Sequence, residues 1–315
     1  MITYRNLTEK ELYDLRLASR PVGVDQKSYS EIRQTADGRI VKLFLYDKLY
    51  GEFDISDVKN DISTIRALSE ADLQIADRLA LPEEILLYGS EVIGYVMRYI
   101  KGTPLSKLNH VKPEQFKHIV AQLLEDIVII NNETGFSFAD LHEDNVIIGD
   151  DIKIYHIDLD GWYSGGGTGR RSRYISLHEE KLKRIPGKYK MNSSGRIIPD
   201  INSDLFCLIN IVFNYLIQGD IWFAQMPESE QEWYLKYMEG ACNEVQLVNM
   251  YKKMLTKDKN HFDINVVNKL PDDIEKYSIH SFYGYSEKFK TEESAKLFLI
   301  RNEEKLNKLF PSRTH

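Results

Sequence analysis

The amino-acid sequence predicts an α+β fold, in which a small antiparallel sheet with one main helix is followed by a mostly helical region. Three changes of pattern along the chain indicate this order. The first third is strand-like and contains a hairpin signal, residues 54–68 switch to helical spacing, and long amphipathic segments dominate after residue 104. We expect two domains, one over residues 1–100 and one over residues 101–315.

The composition is that of a globular protein with room for two cores, since 43% of the 315 residues are hydrophobic and 28% are charged. The formal net charge of -7 gives no reason to expect nucleic acid or an anionic membrane as the main partner. Two distant cysteines, Cys207 and Cys242, argue against a disulfide framework. The first residues lack a signal-peptide pattern, and no apolar run reaches the roughly 20 residues of a membrane span. We therefore expect a cytoplasmic protein.

The strands of the N-terminal region are predicted from local signals. Residues 29–35 and 40–45 flank the Asp37-Gly38 pair, which is typical of a hairpin turn, and the second strand contains Lys42. Apolar residues then recur at the spacing of an amphipathic helix: Ile55, Val58, Ile62, Ile65 and Leu68. Residues 83–87 and 92–99 are predicted to be two further strands.

The chain beyond residues 101–104, where Gly and Pro interrupt regular structure, is predicted to be mostly helical. A long helix is expected over residues 113–132, because Pro113 suits a first turn. Two short strands, residues 146–148 and 152–157, flank a turn at 149–151. Loops next to such strands often carry functional side chains, so the polar residues at the two ends of this hairpin are candidates for a site.

Three polar residues at those ends have the chemistry of a divalent-cation site. Asn145 follows Asp140 by five positions and Asp158 follows Asn145 by thirteen, and the intervening hairpin should return Asp158 to the first pair. Carboxylate and amide oxygens suit Mg²⁺, which commonly shares such ligands with nucleotide phosphates. The alternative is local, with Asp140 capping a turn and Asn145 bonding the loop backbone.

The same residues resemble the motifs of protein kinases. Phe138-Ala-Asp-Leu-His-Glu-Asp-Asn145 resembles the HRDLxxxN catalytic loop, and Asp158-Leu-Asp-Gly161 resembles the DFG motif. The resemblance implies that Asp140 orients or deprotonates an acceptor hydroxyl, that Asn145 and Asp158 bind Mg²⁺, and that Lys42, as the lysine of VAIK, binds ATP phosphates.

The resemblance extends along most of the chain, from about Gly23 to Phe262. Residues 203–219 resemble the buried central helix of the kinase large lobe, and Asp204 matches the aspartate that braces the catalytic loop. Residues 250–258 resemble a late helix of that lobe. Residues 97–102 resemble the hinge, which implies nucleotide contacts at Met97 and Tyr99. We therefore expect a two-lobed protein kinase-like fold with ATP and Mg²⁺ as cofactors.

The sequence also departs from the kinase pattern. No GxGxxG precedes Lys42, so Gly23 is the candidate for backbone contact with the phosphates. Asp61 stands where the family has the helix glutamate that pairs with the strand lysine. Phe138 and Ala139 replace the family's His and Arg, and without that arginine, control by a phosphate in the activation segment is disfavoured. Residues 163–173 are glycine-rich and basic, which is typical of a surface loop or of a docking segment for an acidic partner.

Three functional interpretations remain open. An active kinase would use a hydroxyl-bearing acceptor, a protein rather than a small molecule, with no nucleic acid or membrane partner. His142 is similar to the residue of aminoglycoside and choline kinases at this place, which keeps a small-molecule acceptor open. A third possibility is a kinase-like module that binds nucleotide or a partner without phosphoryl transfer. A metallohydrolase is disfavoured because the histidines lack HExxH spacing.

Overall fold

The computed structural model describes residues 2–22, 30–44, 55–107, 111–159, 162, 173–193, 195–218 and 222–287, without the side chains of 55–62, 173 and 284–287. Two compact units are formed. The first comprises Met1–Leu108, Glu125–Arg171 and Met191–Asp204, and the second comprises Asn109–Leu124, Ser172–Lys190 and Leu205–His315. The sequence prediction divided the chain at residue 100 instead, and that division remains a prediction about lobes.

A six-stranded sheet dominates the first unit. Its strands are β1 (Thr3–Asn6), β2 (Arg20–Pro21), β3 (Ser30–Gln34), β4 (Ile40–Phe44), β5 (Pro82–Tyr88) and β6 (Glu91–Met97), in the order β1-β5-β6-β4-β3-β2. All neighbours are antiparallel except β1 and β5, which are parallel. The sequence prediction of an antiparallel sheet is therefore confirmed for β3 to β6, while β2 and the parallel edge strand β1 were not among the predicted strands.

Two helices cover the two faces of this sheet. Helix α2 (Ile55–Glu70) supplies Ile65 to a core that contains Ile40, Phe44 and Tyr95. Helix α1 (Glu9–Ala18) supplies Leu12 and Leu15 to the opposite core, which contains Val41 and Leu43. Because side chains alternate along β4, Lys42 lies on the α2 face together with Ile40 and Phe44.

A glycine fixes the sheet next to Lys42. Strand β4 pairs with β6 so that Leu43 lies opposite Gly94. A Cβ added at Gly94 would lie 2.2 Å from the carbonyl oxygen of Lys42, so only glycine allows this backbone approach. The strand that carries Lys42 is thereby held close to β6.

A second, three-stranded sheet of the first unit contains the hairpin predicted from the sequence. Strands β7 (Gly102–Pro104), β8 (Val146–Gly149) and β9 (Ile154–His156) pair antiparallel in that order. The hairpin of β8 and β9 is confirmed, but β9 begins two residues later than predicted because Ile152 lies in the turn with φ of 66°. Val146 pairs with His156, which brings the loops before β8 and after β9 together.

The rest of the described chain is helical, as predicted. The helices are α3 (Pro113–Thr134), α4 (Arg173–Lys183), α5 (Ile201–Ile217), α6 (Glu228–Gly240), α7 (Val245–Met254), α8 (Ile264–Asn268) and α9 (Ile279–Glu287). Phe213 of α5 stacks on Phe223 at 4.6 Å between ring centroids and lies 5.3 Å from Tyr251 of α7. This aromatic cluster forms the core of the second unit. No helix among the described residues combines enough length and apolar character to cross a bilayer.

Two predicted elements end earlier than expected. Strand β6 stops at Met97, and the guanidinium of the next residue, Arg98, donates to the carbonyls of Asp77 and Leu79. The late helix predicted over residues 250–258 is α7, which ends at Met254. Lys188 Nζ donates to the carbonyls of Met254 and Thr256 at 2.6 and 2.8 Å, and this cation satisfies the C-terminal end of the helix.

Candidate functional site

Asp204 supports the loop before β8 through hydrogen bonds. The Asp204 carboxylate accepts hydrogen bonds from Ser137 Oγ at 2.8 Å and from the amides of Phe138 and Ala139 at 2.9 and 3.2 Å. Its side chain is buried, and burial raises the pKa of Asp204 to about 7 although these three bonds oppose the shift. The bracing role predicted for Asp204 is confirmed. Ala139 takes a left-handed conformation with φ of 52°, which such bonds hold in place.

The next part of the loop brings Asp140 and Asn145 together. Asn145 Nδ2 donates to the Asp140 carbonyl at 3.0 Å, and the Asn145 carbonyl accepts from the Ile157 amide at 3.1 Å. The first bond uses the amide nitrogen of Asn145 and leaves its Oδ1 oxygen for a cation. The second bond fixes Asn145 beside the residue that precedes Asp158. The local interpretation, in which Asn145 bonds the loop backbone, is therefore compatible with a ligand role.

Lys42 and Asp158 form an ion pair in the first unit. Lys42 Nζ contacts Asp158 Oδ1, and the two side chains are 2% and 31% exposed. Lys42 Nζ also lies 5.9 Å from the centroid of the Tyr95 ring. Asp158 has a φ of 60°, a left-handed backbone conformation that is uncommon for a residue other than glycine. Residues held in this way are concentrated at functional sites.

The donor set suits a magnesium ion. Asp158 contributes a carboxylate and Asn145 an amide oxygen, and the Ile157–Asn145 bond holds the two residues next to each other. No cluster of three or more His, Cys, Asp or Glu side chains that could hold a metal occurs within the described part of the chain. A site with one or two protein oxygens fits Mg²⁺, which retains waters and takes substrate phosphates as further ligands.

The structure gives less support to the other residues that were predicted to contact the nucleotide. The Met97 side chain is buried in the sheet core, opposite Ile40 in the β4–β6 pairing. Tyr99 follows the end of β6 and is exposed, and none of its described contacts joins it to Lys42 or Asp158. Gly23 lies outside the described residues, and so does the side chain of Asp61, whose backbone belongs to α2. Nucleotide roles for these four residues stay predictions.

His142 occupies a defined position beside Asp140. Its Nδ1 accepts a hydrogen bond from the Asp144 amide at 3.2 Å and thereby caps the short 3-10 helix Glu143–Asn145. Because Nδ1 is the acceptor, the ring hydrogen is on Nε2, which lies 3.6 Å from Asp140 Oδ2. The imidazole therefore presents an N–H group near the predicted catalytic carboxylate.

Sequence reasoning missed a buried polar group next to this site. Asp126 of α3 is fully buried and contacts both Arg78 and His156. The sequence signal for this group was the presence of polar residues within apolar segments. Asp126 lies among the core positions of α3, and His156 lies among the apolar residues of β9. The metallohydrolase interpretation of His156 finds no support, since its ring bonds to Asp126.

A comparison with known protein families matches residues 58–161 to the RIO domain, which is an atypical protein kinase family within the protein kinase-like superfamily. The matched range is about a third of the chain and contains Asp140, Asn145 and Asp158, whereas Lys42 and Asp204 lie outside it. None of the curated proteins matches the chain at a significant level. Together with the sheet-rich N-terminal and helical C-terminal regions, the match over residues 58–161 is consistent with a two-lobed protein kinase-like fold.

Proposed function

We propose that this protein is an ATP- and Mg²⁺-dependent phosphotransferase that transfers the γ-phosphate to a hydroxyl group, most simply a Ser or Thr of a protein. The observation that carries the proposal is the ion pair of Lys42 with Asp158, next to a loop that holds Asp140 and Asn145. The RIO-domain match over residues 58–161 supports nucleotide binding by the same loops.

Each residue has a chemical role in this proposal. Asn145 Oδ1 and the Asp158 carboxylate would hold the magnesium ion, and Lys42 would attract the phosphates. When bound, the ion neutralises charge on the phosphate oxygens during transfer. Asp140 accepts the hydrogen bond of the acceptor hydroxyl, orients it and takes its proton as the new O–P bond forms and the bond between the γ-phosphorus and the β–γ bridging oxygen breaks, which releases ADP. Asp204 keeps the loop of Asp140 in place through the Phe138 and Ala139 amides.

A small-molecule acceptor is a second candidate, and His142 favours it. The Nε2–H group of His142 lies 3.6 Å from Asp140 Oδ2 and supplies a donor beside the place where the acceptor hydroxyl would bind. Such a donor suits the oxygen of a second hydroxyl group on a small alcohol. A protein acceptor requires no such neighbour, so acceptor screens with His142→Ala distinguish the two candidates.

The proposal is tested with purified protein, labelled ATP, Mg²⁺ and a set of protein and small-molecule acceptors. We expect label on an acceptor or on the protein itself, and we expect Asp140→Asn to reduce transfer by about 10²- to 10⁴-fold while Mg-ATP binding is retained. Asp150→Asn is the matched control, because Asp150 is an exposed aspartate in the β8–β9 turn that pairs with Lys101. This control should retain parental turnover.

A binding module without transfer predicts a different result. Mg-ATP would stabilise the parent against heat, but no acceptor would be labelled and Asp140→Asn would behave as Asp150→Asn does. That pattern would refute phosphoryl transfer. A parent protein that neither binds Mg-ATP nor transfers phosphate would refute the proposal as a whole.

A further inference from the structure

Two buried side chains and one partly exposed arginine of the first unit form a polar group that the catalytic roles above do not use. Arg78 Nη2 lies 2.5 Å from Asp126 Oδ1, and His156 Nε2 lies 2.7 Å from Asp126 Oδ2. Asp126 and the His156 side chain are 0% and 2% exposed, and the Arg78 side chain is 15% exposed. Because a carboxylate only accepts hydrogen bonds, His156 Nε2 is the donor to Asp126.

These contacts join three separate segments of the chain. Arg78 ends the 3-10 helix Ala76–Arg78, Asp126 belongs to α3, and His156 ends β9. A backbone hydrogen bond also links two of these segments, since the Ala80 amide donates to the His156 carbonyl at 2.9 Å. His156 is thus fixed by its side chain to α3 and by its carbonyl to the segment that follows Arg78.

The fixed residue lies immediately before the proposed metal ligand. Ile157 packs into the core that contains Ile65 and Tyr95, and its amide donates to the Asn145 carbonyl. Asp158 follows with its left-handed backbone conformation. Such a conformation is unfavourable for a residue other than glycine and persists only where the surrounding structure determines it. The hydrogen bonds of His156 and Ile157 hold the backbone in place on the N-terminal side of Asp158.

The His156 ring also contacts the catalytic loop. Its centroid lies 4.7 Å from that of Phe138, and Phe138 lies 4.2 Å from Trp162. Phe138 in turn donates its amide to Asp204. His156 therefore precedes Asp158 by two positions in the chain, and its imidazole contacts Phe138 at the start of the loop of Asp140.

We infer that Arg78, Asp126 and His156 act as a clamp that positions Asp158 for magnesium and holds it in register with the loop of Asp140. His156 is a positioning residue in this arrangement, since its buried ring bonds to Asp126 and acts on Asp158 only through the intervening backbone. The inference rests on the proposed function and specifies what keeps its metal ligand in place. Buried partners of metal ligands commonly change metal affinity by about 10- to 100-fold when they are replaced.

The test measures Mg²⁺ dependence without requiring turnover. The melting temperature is recorded at fixed ATP over a series of MgCl₂ concentrations, and the Mg²⁺ concentration that gives half of the ATP-induced shift is compared among variants. We expect His156→Phe and Asp126→Asn each to raise this concentration about tenfold or more. His156→Gln should raise it less, because the glutamine Nε2 can still donate to Asp126. The double variant His156→Phe, Asp126→Asn should show a smaller rise than the two single changes combined, since both changes affect the His156–Asp126 interaction.

His178→Phe is the matched control for lost stability. His178 is another buried histidine, with Nδ1 at 3.2 Å from the Tyr174 carbonyl in the second unit. This control should lower the melting temperature and leave the half-maximal Mg²⁺ concentration unchanged. If His156→Phe and Asp126→Asn behave like the control, the clamp does not position Asp158 and the inference is wrong. Should either variant fail to fold, Arg78→Gln, at a partly exposed position, takes its place, and an unchanged Mg²⁺ requirement there overturns the inference.

The outcomes for the parent protein separate this inference from the proposed function. A parent that shows the Mg²⁺-dependent ATP shift but no transfer refutes catalysis, and the comparison of variants still decides the clamp. A parent that shows no Mg²⁺-dependent shift overturns both.

Discussion

The Lys42 ammonium pairs directly with the Asp158 carboxylate, and these residues are 116 positions apart in the chain. The pair joins the middle of β4 to the loop after β9. Its two members differ in environment, since Lys42 is almost fully buried and Asp158 is about a third exposed. In the proposed function, Mg²⁺ would become a partner of Asp158 and the ATP phosphates partners of Lys42, so nucleotide binding would replace this ion pair with new contacts.

The unequal burial predicts unequal effects of breaking this pair. Asp158→Asn removes a carboxylate from a buried ammonium and should lower stability by about 1–3 kcal/mol. Lys42→Met replaces the buried cation with an apolar side chain of similar length and leaves a carboxylate that water can reach, so it should cost less. Both should abolish the Mg-ATP-induced thermal shift. Melting temperatures of the two variants check the order, and a larger loss in Lys42→Met would contradict it.

Asp204 should make stability depend on pH in an unusual direction. Its pKa is raised from 3.8 to about 7, so the folded state holds a proton that the unfolded state has released between these values. Its contribution is therefore fully present below pH 3.8 and is lost as the pH rises to about 7, by up to roughly 1.4 kcal/mol per pH unit. The stability difference between the parent and Asp204→Asn should fall over this range and become constant above pH 7. A constant difference from pH 4 to 8 would show that the Asp204 carboxyl is not titrating there.

Features that depend on local periodicity could be predicted from the sequence. The hairpin signal and apolar alternation gave β3 and β4 and placed Lys42 on a strand, and the apolar spacing of residues 55–68 gave α2. The bracing role of Asp204 came from its position at the start of the apolar helix α5 in a kinase-like order of motifs. These features rest on neighbours in the chain or on motif order, which a sequence contains.

Features that depend on distant packing were not predictable. Strand β1 has no alternation of buried and exposed residues, because all four of its residues are exposed, and its parallel pairing with β5 joins residues about 80 positions apart. The Arg78, Asp126 and His156 clamp joins three segments, and although Asp126 and His156 are polar residues within apolar segments, nothing in those segments indicates which side chains they contact. Only the folded chain shows that these side chains meet.

Gly94 should be required for the position of Lys42. A Cβ at this site would meet the Lys42 carbonyl oxygen, which is backbone and cannot rotate away. Gly94→Ala should therefore separate β4 from β6, lower stability by about 1–3 kcal/mol and weaken the Mg-ATP-induced thermal shift. Gly89→Ala is the control, because Gly89 has a φ of 62° in the β5–β6 turn and no atom within 4 Å of an added Cβ. It should lower the melting temperature and leave the shift intact; an equal effect of both variants on the shift would contradict the prediction.

His178 should make the protein sensitive to acid. Burial lowers the pKa of His178 from 6.5 to about 4, so below pH 6.5 the unfolded chain binds a proton that the folded chain does not. The contribution of His178 is present above pH 6.5 and is lost as the pH falls towards 4, by up to about 1.4 kcal/mol per pH unit. His178→Phe should remove this dependence, which chemical denaturation of parent and variant from pH 4 to 7 would measure.

The pH dependence of stability due to His178 must be measured as the difference between the parent and His178→Phe. Asp204 changes stability in the opposite direction over the same pH range. Between pH 4 and 6.5 the Asp204 carboxyl stabilises the folded state more as the pH falls, whereas His178 destabilises it. The two slopes therefore partly cancel in the parent. His178→Phe should become more stable relative to the parent at low pH, and Asp204→Asn less stable. Parallel stability curves for the parent and His178→Phe would mean that His178 is accessible to protons in the folded state.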